Sequence, residues 1–275
     1  MHRGDVFMQF RDLPGLIRKS ETISRIGKIE NVEGMLLEAS GGRTSIGEIY
    51  MIYDERQNRH IPAEVIGFKQ NKIQMMSYED TNGISSGSIV RSTKKRLKIP
   101  VGDFLKGRVI DAMGRPIFGE RFSDSQFCYV ENTYTNPLKR PPITERLDFG
   151  VKAIDGLLTI GKGQRIGIFA GSGVGKSTLL GMIAKNSTAD INVIALVGER
   201  GREVREFIER DLGEEGRQRS VVVVATSDES SMMRMKCPLV ATTIAEYFRN
   251  QGKDVLLMMD SLTRFAMAKR EIGLS

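Results

Sequence analysis

The sequence has very few of the residues that build disulfide frameworks and histidine-based sites. Of 275 residues, two are cysteines, Cys128 and Cys237, and two are histidines, His2 and His60. Two cysteines cannot form a disulfide framework, and their separation does not match the spacing of zinc ligands. Because the histidines lie far apart in the chain, neither a histidine-based catalytic triad nor a zinc site is predicted. The cysteines are therefore interpreted as reduced thiols of a cytosolic protein.

The chain also lacks long apolar runs and a strong charge bias. No stretch approaches the ~20 apolar residues of a membrane-spanning helix, and the N-terminus has no uninterrupted apolar core of the signal-peptide type. Lys+Arg 41 and Asp+Glu 34 give a net charge of +7 that is spread over both halves of the chain. This even excess argues against a nucleic-acid-binding tail, while it allows a weak attraction to an acidic membrane.

The chain has two regions with different sequence patterns. Residues 1–21 are interpreted as an N-terminal interaction arm, and residues 22–97 alternate short β-forming runs with turn signals such as Gly41-Gly42 and Asn82-Gly83. The β-forming runs lie at 35–37, 46–52, 63–68 and 72–76. Short strands at this spacing predict a small antiparallel β-barrel.

Residues 98–275 are interpreted as a second domain, which opens with a Pro- and Gly-rich connector at 98–150. Apolar strands and helices then alternate. Strands are predicted at 165–170, 191–197, 220–225 and 255–259, and helices from about 176, at 203–212 and at 238–251. This alternation predicts an α/β fold with a parallel sheet that is covered on both faces.

The strongest functional signal is the segment from Ala170 to Thr178. It fits the phosphate-binding pattern [A/G]-x4-G-K-[S/T], with Ala170 where glycine is commonest. Its glycines allow the backbone to wrap an anion with the N–H groups pointing inward. Lys176 is expected to reach the β- and γ-phosphates, and the Ser177 hydroxyl to bind Mg²⁺. The candidate nucleotide-binding residues are Gly171, Ser172, Gly173, Val174, Gly175, Lys176, Ser177 and Thr178.

Two acidic residues follow apolar strands. Asp260 ends the run 255–260, and an aspartate at the carboxyl end of a buried strand is expected to hold the hydration shell of Mg²⁺. Glu199 follows the run 191–197 and is expected at the same sheet edge. A carboxylate there can orient and polarise the attacking water. From spacing alone, an ordinary acidic residue at a helix N-terminus explains Glu199 equally well.

These segments resemble the ATPases of bacterial flagellar protein export, a family related to the catalytic subunits of rotary ATP synthases. The resemblance is carried by 107–116, 140–142, 156–159, 163–178, 197–204 and 260–274, and it extends over about residues 22–275. It implies a RecA-like P-loop ATPase core behind an N-terminal antiparallel β-barrel. It also implies hydrolysis of ATP with Mg²⁺ that energises the export of flagellar subunits through a type III secretion apparatus.

The resemblance implies roles for single residues as well. Glu199 becomes the water-activating carboxylate, with Lys176 and Arg200 as further catalytic residues. Arg200 resembles an arginine on the γ-phosphate side, and Arg264 resembles a residue just beyond the magnesium-binding aspartate. Ser177 would bind the metal directly and Asp260 through water.

The implied assembly is a hexameric ring at the inner face of the cell membrane. The arm would bind a regulator protein of the export apparatus, and the ring would receive exported flagellar proteins and their chaperones. The mild positive net charge also allows the ring to contact an acidic membrane surface. Nucleic acid is not an expected partner, since acidic residues are scattered through the barrel and aromatics are few.

The sequence departs from that family in its length, and two alternative functions remain open. Members of that family continue well past the position of Ser275, so the core is expected to be incomplete, as a partial chain or a shortened gene product. One alternative function is that of a virulence-type III secretion ATPase. The other is a non-catalytic nucleotide-binding subunit of a rotary ATPase, which would not need the Glu199 carboxylate.

Overall fold

Six strands close the N-terminal part of the chain into an antiparallel barrel. The structure, a computed structural model, describes residues 25–120, 122, 126–131, 136–171 and 173–274, so the predicted arm at 1–21 lies outside the described residues. The barrel strands are β1 (Ile26–Glu33), β2 (Leu36–Ala39), β3 (Glu48–Asp54), β4 (Arg59–Lys69), β5 (Lys72–Ser77) and β6 (Ile89–Arg96). Their order is β1-β2-β5-β4-β3-β6, which confirms the predicted barrel.

The barrel interior is filled by alternate side chains of these strands. Apolar residues that point inward are almost fully buried, as expected where successive side chains face opposite sides of a strand. They include Ile29, Leu37, Tyr50, Ile52, Ile61, Val65, Met75 and Val90. The apolar runs of the sequence therefore marked one face of each strand.

The connector at 98–150 contributes one strand, β8, to the parallel sheet of the second domain. β7 (Lys98–Val101) pairs antiparallel with β9 (Gln126–Tyr129), while β8 (Val109–Asp111) pairs in parallel with β11 (Ser220–Thr226). Two 3₁₀ turns, Asp103–Leu105 and Pro137–Lys139, and a one-turn helix, α1 (Lys152–Asp155), punctuate this region.

The remaining strands form a parallel sheet that carries the predicted functional residues at its carboxyl edge. The strands are β10 (Ile191–Glu199), β11 (Ser220–Thr226) and β12 (Val255–Asp260), in the order β12-β10-β11-β8. Alternate residues of β10 pack on opposite faces: Val193 and Ala195 belong to one apolar core, Ile194 and Leu196 to the other. Burial on both faces explains why these strands read as continuous apolar runs.

Helices cover both faces of the sheet. They are α2 (Lys176–Asn186), α3 (Gly201–Glu206), α4 (Gly213–Gln218), α5 (Ser231–Asn250) and α6 (Leu262–Leu274), with a π-helical turn at Phe207–Leu212 between α3 and α4. Among the described residues, no helix is long and apolar enough to cross a bilayer.

The predicted start of the helix at 238 is wrong by seven residues. The helix begins at Ser231, because the Ser230 hydroxyl accepts a hydrogen bond from the Met233 N–H at 3.1 Å and caps the first turn. Pro238 lies inside the helix. Proline is favoured at the first helical position, which explains the misplaced start.

The predicted strand at 165–170 is also wrong. These residues form no strand, and the side chain of Phe169 is 96% exposed. Among the described strands, β12 pairs with β10 alone, and residues 165–170 pair with none. Apolar composition expresses only a propensity, whereas a strand also needs a neighbour for its backbone hydrogen bonds.

A buried ionic contact joins the barrel to the sheet domain. The Lys236 Nζ atom in α5 lies 2.7 Å from Oε2 and 2.8 Å from Oε1 of Glu64 in β4. The Tyr78 hydroxyl donates to the same carboxylate, and the Ser230 hydroxyl donates to the Tyr78 carbonyl at 2.7 Å. The helix that packs on the sheet is thereby tied directly to the barrel wall.

Candidate nucleotide-binding site

The carboxyl ends of two adjacent strands bring Glu199 and Asp260 to the same sheet edge. β10 ends at Glu199 and β12 at Asp260, and the parallel register sets Leu196 opposite Asp260. Open parallel sheets bind ligands at this edge. The two acidic residues predicted from separate strands are therefore neighbours across one strand pair.

The glycine-rich loop leads directly into helix α2 at this edge. Gly173 has φ +75° and Gly175 has φ +93°, which side chains with a Cβ rarely adopt. Gly175 is the N-cap residue of α2, so the first N–H groups of the helix face the loop. Val174 and the glycines at 171, 173 and 175 are exposed, while Ser172 lies outside the described residues.

Lys176 forms the main contact between the loop and the sheet. Its Nζ atom lies 2.5 Å from Oδ1 of Asp260, whose side chain is only 6% exposed. A buried carboxylate is costly without a charge partner, and the Lys176 ammonium supplies one. The two residues predicted to hold the phosphates and the metal thus meet in one contact.

The Glu199 carboxylate lies in a mostly buried, charged environment. Its Oε2 atom is 3.4 Å from the guanidinium of Arg264. Burial raises the pKa of Glu199 to about 7, and a side-chain hydrogen bond with Glu203 and the negative charge of Asp260 act in the same direction. The positive charge of Arg264 opposes this shift. A carboxyl group with a pKa near neutrality is suited to accepting a proton from water.

Arg264 also fixes the backbone next to Glu199. Its guanidinium donates to the carbonyl of Gly198. Gly198 has φ +68°, and a Cβ at this position would lie 2.9 Å from Cδ of Arg264. Glycine is therefore required here, both for the backbone conformation and for the close approach of the arginine.

The remaining predicted site residues, Ser177, Thr178 and Arg200, differ in burial and in their contacts. Ser177 is half-buried at the start of α2, and the Thr178 hydroxyl is 3.5 Å from Oδ1 of the buried Asp211. Arg200 is not drawn into the site, since its side chain is 73% exposed and its nearest carboxylate is Glu203 at 3.5 Å. The structure thus brings together Lys176, Asp260 and Glu199, and leaves Arg200 outside.

The donor atoms fit a magnesium ion that is held largely by a nucleotide. Asp260 and Ser177 offer hard oxygen ligands, the type Mg²⁺ prefers. Within the described ranges there is no group of three or more His, Cys, Asp or Glu side chains that could hold a metal. One carboxylate and one hydroxyl suit the binding of Mg²⁺ with substrate phosphates rather than in a cage made by the protein alone.

Three contacts of the site were not predicted from the sequence. They are the ion pair of Glu199 with Arg264, the hydrogen bond of Glu199 with Glu203, and the contact of Thr178 with Asp211. The only available signal was that Glu203 follows Glu199 by four residues, across the short turn that leads from β10 into α3.

Comparison with known proteins identifies the family. A family model described as the ATP synthase alpha/beta family, nucleotide-binding domain, matches residues 150–275, and the model of the family's beta-barrel domain matches residues 29–94. The chain belongs to the ATP synthase alpha/beta family. The fold described above, a barrel followed by an α/β nucleotide-binding domain, is the one that this membership predicts.

Curated members of this family are closely similar in sequence. The chain is 53% identical to the flagellum-specific ATP synthase of Bacillus subtilis (strain 168), over 98% of this chain and 62% of that protein. It is 46% identical to the type 3 secretion system ATPase of Xanthomonas euvesicatoria, over 91% of this chain and 57% of that protein. The chain thus spans about three fifths of the length of the curated relatives it matches.

A solved structure has the same fold. It is the assembled ATPase EscN in complex with its central stalk EscO, from the type III secretion system of enteropathogenic E. coli. The TM-score is 0.82 at 46% identity, and the match covers 90% of this chain and 60% of that chain.

Proposed function

We propose that this chain forms the barrel and the core of an ATPase that energises bacterial flagellar protein export. The observation that carries the proposal is the convergence of Lys176, Asp260 and Glu199 at one sheet edge, directly beside the glycine-rich loop. The identity of 53% to a flagellum-specific ATP synthase supports the flagellar assignment.

The proposed chemistry is attack of water on the γ-phosphate of bound ATP. The loop N–H groups and Lys176 bind the phosphates, and Glu199 orients the water and accepts its proton on a carboxylate oxygen. Arg264 holds Glu199 and the Gly198 carbonyl in place. Ser177 and Asp260 would hold Mg²⁺, which neutralises phosphate charge when it is bound. Arg200 is proposed to act on the γ-phosphate side, although its side chain is exposed in this structure.

The assembly and partners are proposed from the relatives. EscN is assembled in complex with a central stalk, which supports a ring of several copies, as a hexamer, for this chain. A position at the inner face of the cell membrane, binding of a regulator through the arm at 1–21, and delivery of exported flagellar proteins with their chaperones complete the proposal. No nucleic acid takes part.

The second candidate is a virulence-type III secretion ATPase. The 46% identity to the Xanthomonas euvesicatoria protein and to EscN supports it. The proposed ATP chemistry is the same in both cases, and only the exported proteins differ. A non-catalytic subunit is disfavoured because Glu199 lies beside the Lys176–Asp260 pair, with a raised pKa that such a subunit would not need.

A hybrid protein tests the proposal. This chain replaces the corresponding part of the Bacillus subtilis relative, and ATP hydrolysis, flagellin export and motility are measured in a strain that lacks the native protein. We expect all three to be restored, and all three to be lost with Lys176→Ala. Hydrolysis without export would contradict the flagellar assignment, whereas a stable hybrid without hydrolysis would contradict the ATPase itself. Stimulation of hydrolysis by polynucleotide would favour a nucleic-acid motor.

A further inference from the structure

An open cavity of about 700 Å³ lies at one end of the barrel, on strands that carry none of the proposed nucleotide-binding residues. The loop between β2 and β3 and the tight turn between β4 and β5 form its walls. Gln70 and Asn71 occupy that turn with φ of +48° and +66°, and both residues line the cavity.

The charge of this cavity is positive. Arg43 and Lys69 line it, and none of the described carboxylates does. Neither cation forms an ion pair with any residue in the described part of the chain. The next lysine along the hairpin, Lys72, differs, since its Nζ atom lies 2.9 Å from Oε2 of Glu30. Two uncompensated cations at a concave surface attract an anionic group.

The cavity also holds hydrogen-bonding groups that the described residues leave unsatisfied. The Thr44 hydroxyl oxygen is buried and has no hydrogen-bond partner within the described ranges. The backbone N–H groups of residues 41–44 likewise donate to no other described residue. The Arg25 guanidinium donates to the carbonyl of Arg43 and ties this loop to the start of β1. Free N–H groups beside cations form the kind of concavity that binds oxyanions.

An apolar wall distinguishes this cavity from a simple phosphate site. The Phe68 side chain lines it and is 53% exposed, and Ile73 forms part of the floor. An inorganic phosphate would fill only a small part of about 700 Å³ and would not use the aromatic ring. A peptide with a carboxylate next to an apolar side chain matches both the cations and the ring.

We propose that this cavity is a docking site for an acidic segment of a partner protein. A carboxylate of the segment would be held by Arg43, Lys69 and the N–H groups of residues 41–44, with a neighbouring apolar side chain against Phe68. The proposal does not depend on the function of the nucleotide site, and it gives the barrel a binding role of its own.

Chemical-shift mapping by NMR on the ¹⁵N-labelled chain tests it. The probe is the capped peptide acetyl-Glu-Leu-Glu-Leu-amide, and the matched neutral probe is acetyl-Gln-Leu-Gln-Leu-amide. We expect the acidic peptide to shift the signals of residues 41–44 and 68–71, and the neutral peptide to bind at least about tenfold more weakly. Inorganic phosphate at the same concentration should produce smaller shifts.

Variants assign the effect to the two cations. Arg43→Gln with Lys69→Gln should weaken binding of the acidic peptide at least about tenfold, and Arg91→Gln on the exposed side of β6 should not change it. Both positions are exposed, and their replacement is therefore not expected to disturb the fold. Unchanged NMR signals of residues away from the cavity verify this. Parent-like affinity of the double variant would overturn the proposal. So would phosphate binding as strong as the peptide's, or attachment to anionic phosphatidylglycerol vesicles that depends on these cations without peptide binding.

Discussion

The ammonium of Lys176 lies 2.5 Å from the carboxylate of Asp260, although 84 residues separate them in the chain. The contact joins the first residue of α2 to the last residue of β12. A loop that ends in a helix and a strand that ends in an aspartate thus converge on one point. This convergence is the structural basis for placing phosphates and Mg²⁺ at this edge of the sheet.

If Asp260 holds Mg²⁺, its replacement should weaken the metal dependence of nucleotide binding. For Asp260→Asn we expect the gain in ATP affinity on adding Mg²⁺ to fall by about 10- to 100-fold. Calorimetric titration with and without Mg²⁺ measures this gain. Asp254→Asn, just before the opposite end of the same strand, is the control and should retain it. A full Mg²⁺ effect in Asp260→Asn would exclude this carboxylate from metal binding.

Glu199→Gln should separate binding from hydrolysis. The amide keeps the shape of the side chain but cannot accept a proton, and loss of a general base costs about 10²–10⁴-fold in rate. Phosphate release is measured in the hybrid with the Bacillus subtilis relative, and nucleotide binding in the chain itself. Glu209→Gln, on the exposed side of the neighbouring helical turn, is the control. Hydrolysis within a factor of a few of the parent rate would reduce Glu199 to an ordinary acidic residue at a helix N-terminus.

The contact between Lys236 and Glu64 should behave as a coupled pair. Lys236→Met leaves a buried carboxylate without its cation, which is expected to lower the free energy of unfolding by about 3–5 kcal/mol. Adding Glu64→Gln should recover much of this loss, because the glutamine carbonyl can still accept from the Tyr78 hydroxyl. Chemical denaturation of both single variants and of the double variant measures the coupling, with the exposed Lys269→Met as control. Destabilisation by the double variant equal to the sum of the two single variants would show that the charges act independently.

Glu229 should make stability depend on pH. Burial raises its pKa to about 7, with the charges of Asp111 and Asp228 adding to the shift, and its Oε2 atom has no hydrogen-bond partner among the described residues. The folded state therefore binds more protons than the unfolded chain between pH ~4.5 and ~7. It follows that this group lowers stability as the pH rises through that window and that its full cost is present above pH 7.

Replacing Glu229 by glutamine removes the ionisable group. We expect Glu229→Gln to raise the Tm by about 2–4 °C at pH 8 and to change it little at pH 5. Thermal unfolding at both pH values measures the difference, and Glu209→Gln serves as the control at an exposed position. A gain that is the same at pH 5 and pH 8 would show that ionisation of Glu229 is not its cause.

The sequence predicts best the elements that local pattern determines. The apolar runs of β10, β11 and β12 were placed correctly because burial on both faces leaves a continuous apolar signature. The loop before Lys176 was found because its conformation needs glycine at 173 and 175. Contacts between residues that are far apart in the sequence leave no comparable local pattern. The ion pair of Glu199 with Arg264 joins residues on separate elements, and the run at 165–170 has strand composition without a strand partner.

The central claim is that the loop from Gly171 to Thr178 binds MgATP, and an equilibrium titration of the chain with a fluorescent ATP analogue tests it most directly. The parent, Lys176→Ala and the exposed control Lys152→Ala are titrated side by side in the presence of Mg²⁺. Since Lys176 is the cation of the loop, its loss should remove most of the binding, whereas Lys152→Ala should bind like the parent. An unchanged affinity in Lys176→Ala would contradict the account and place the nucleotide elsewhere.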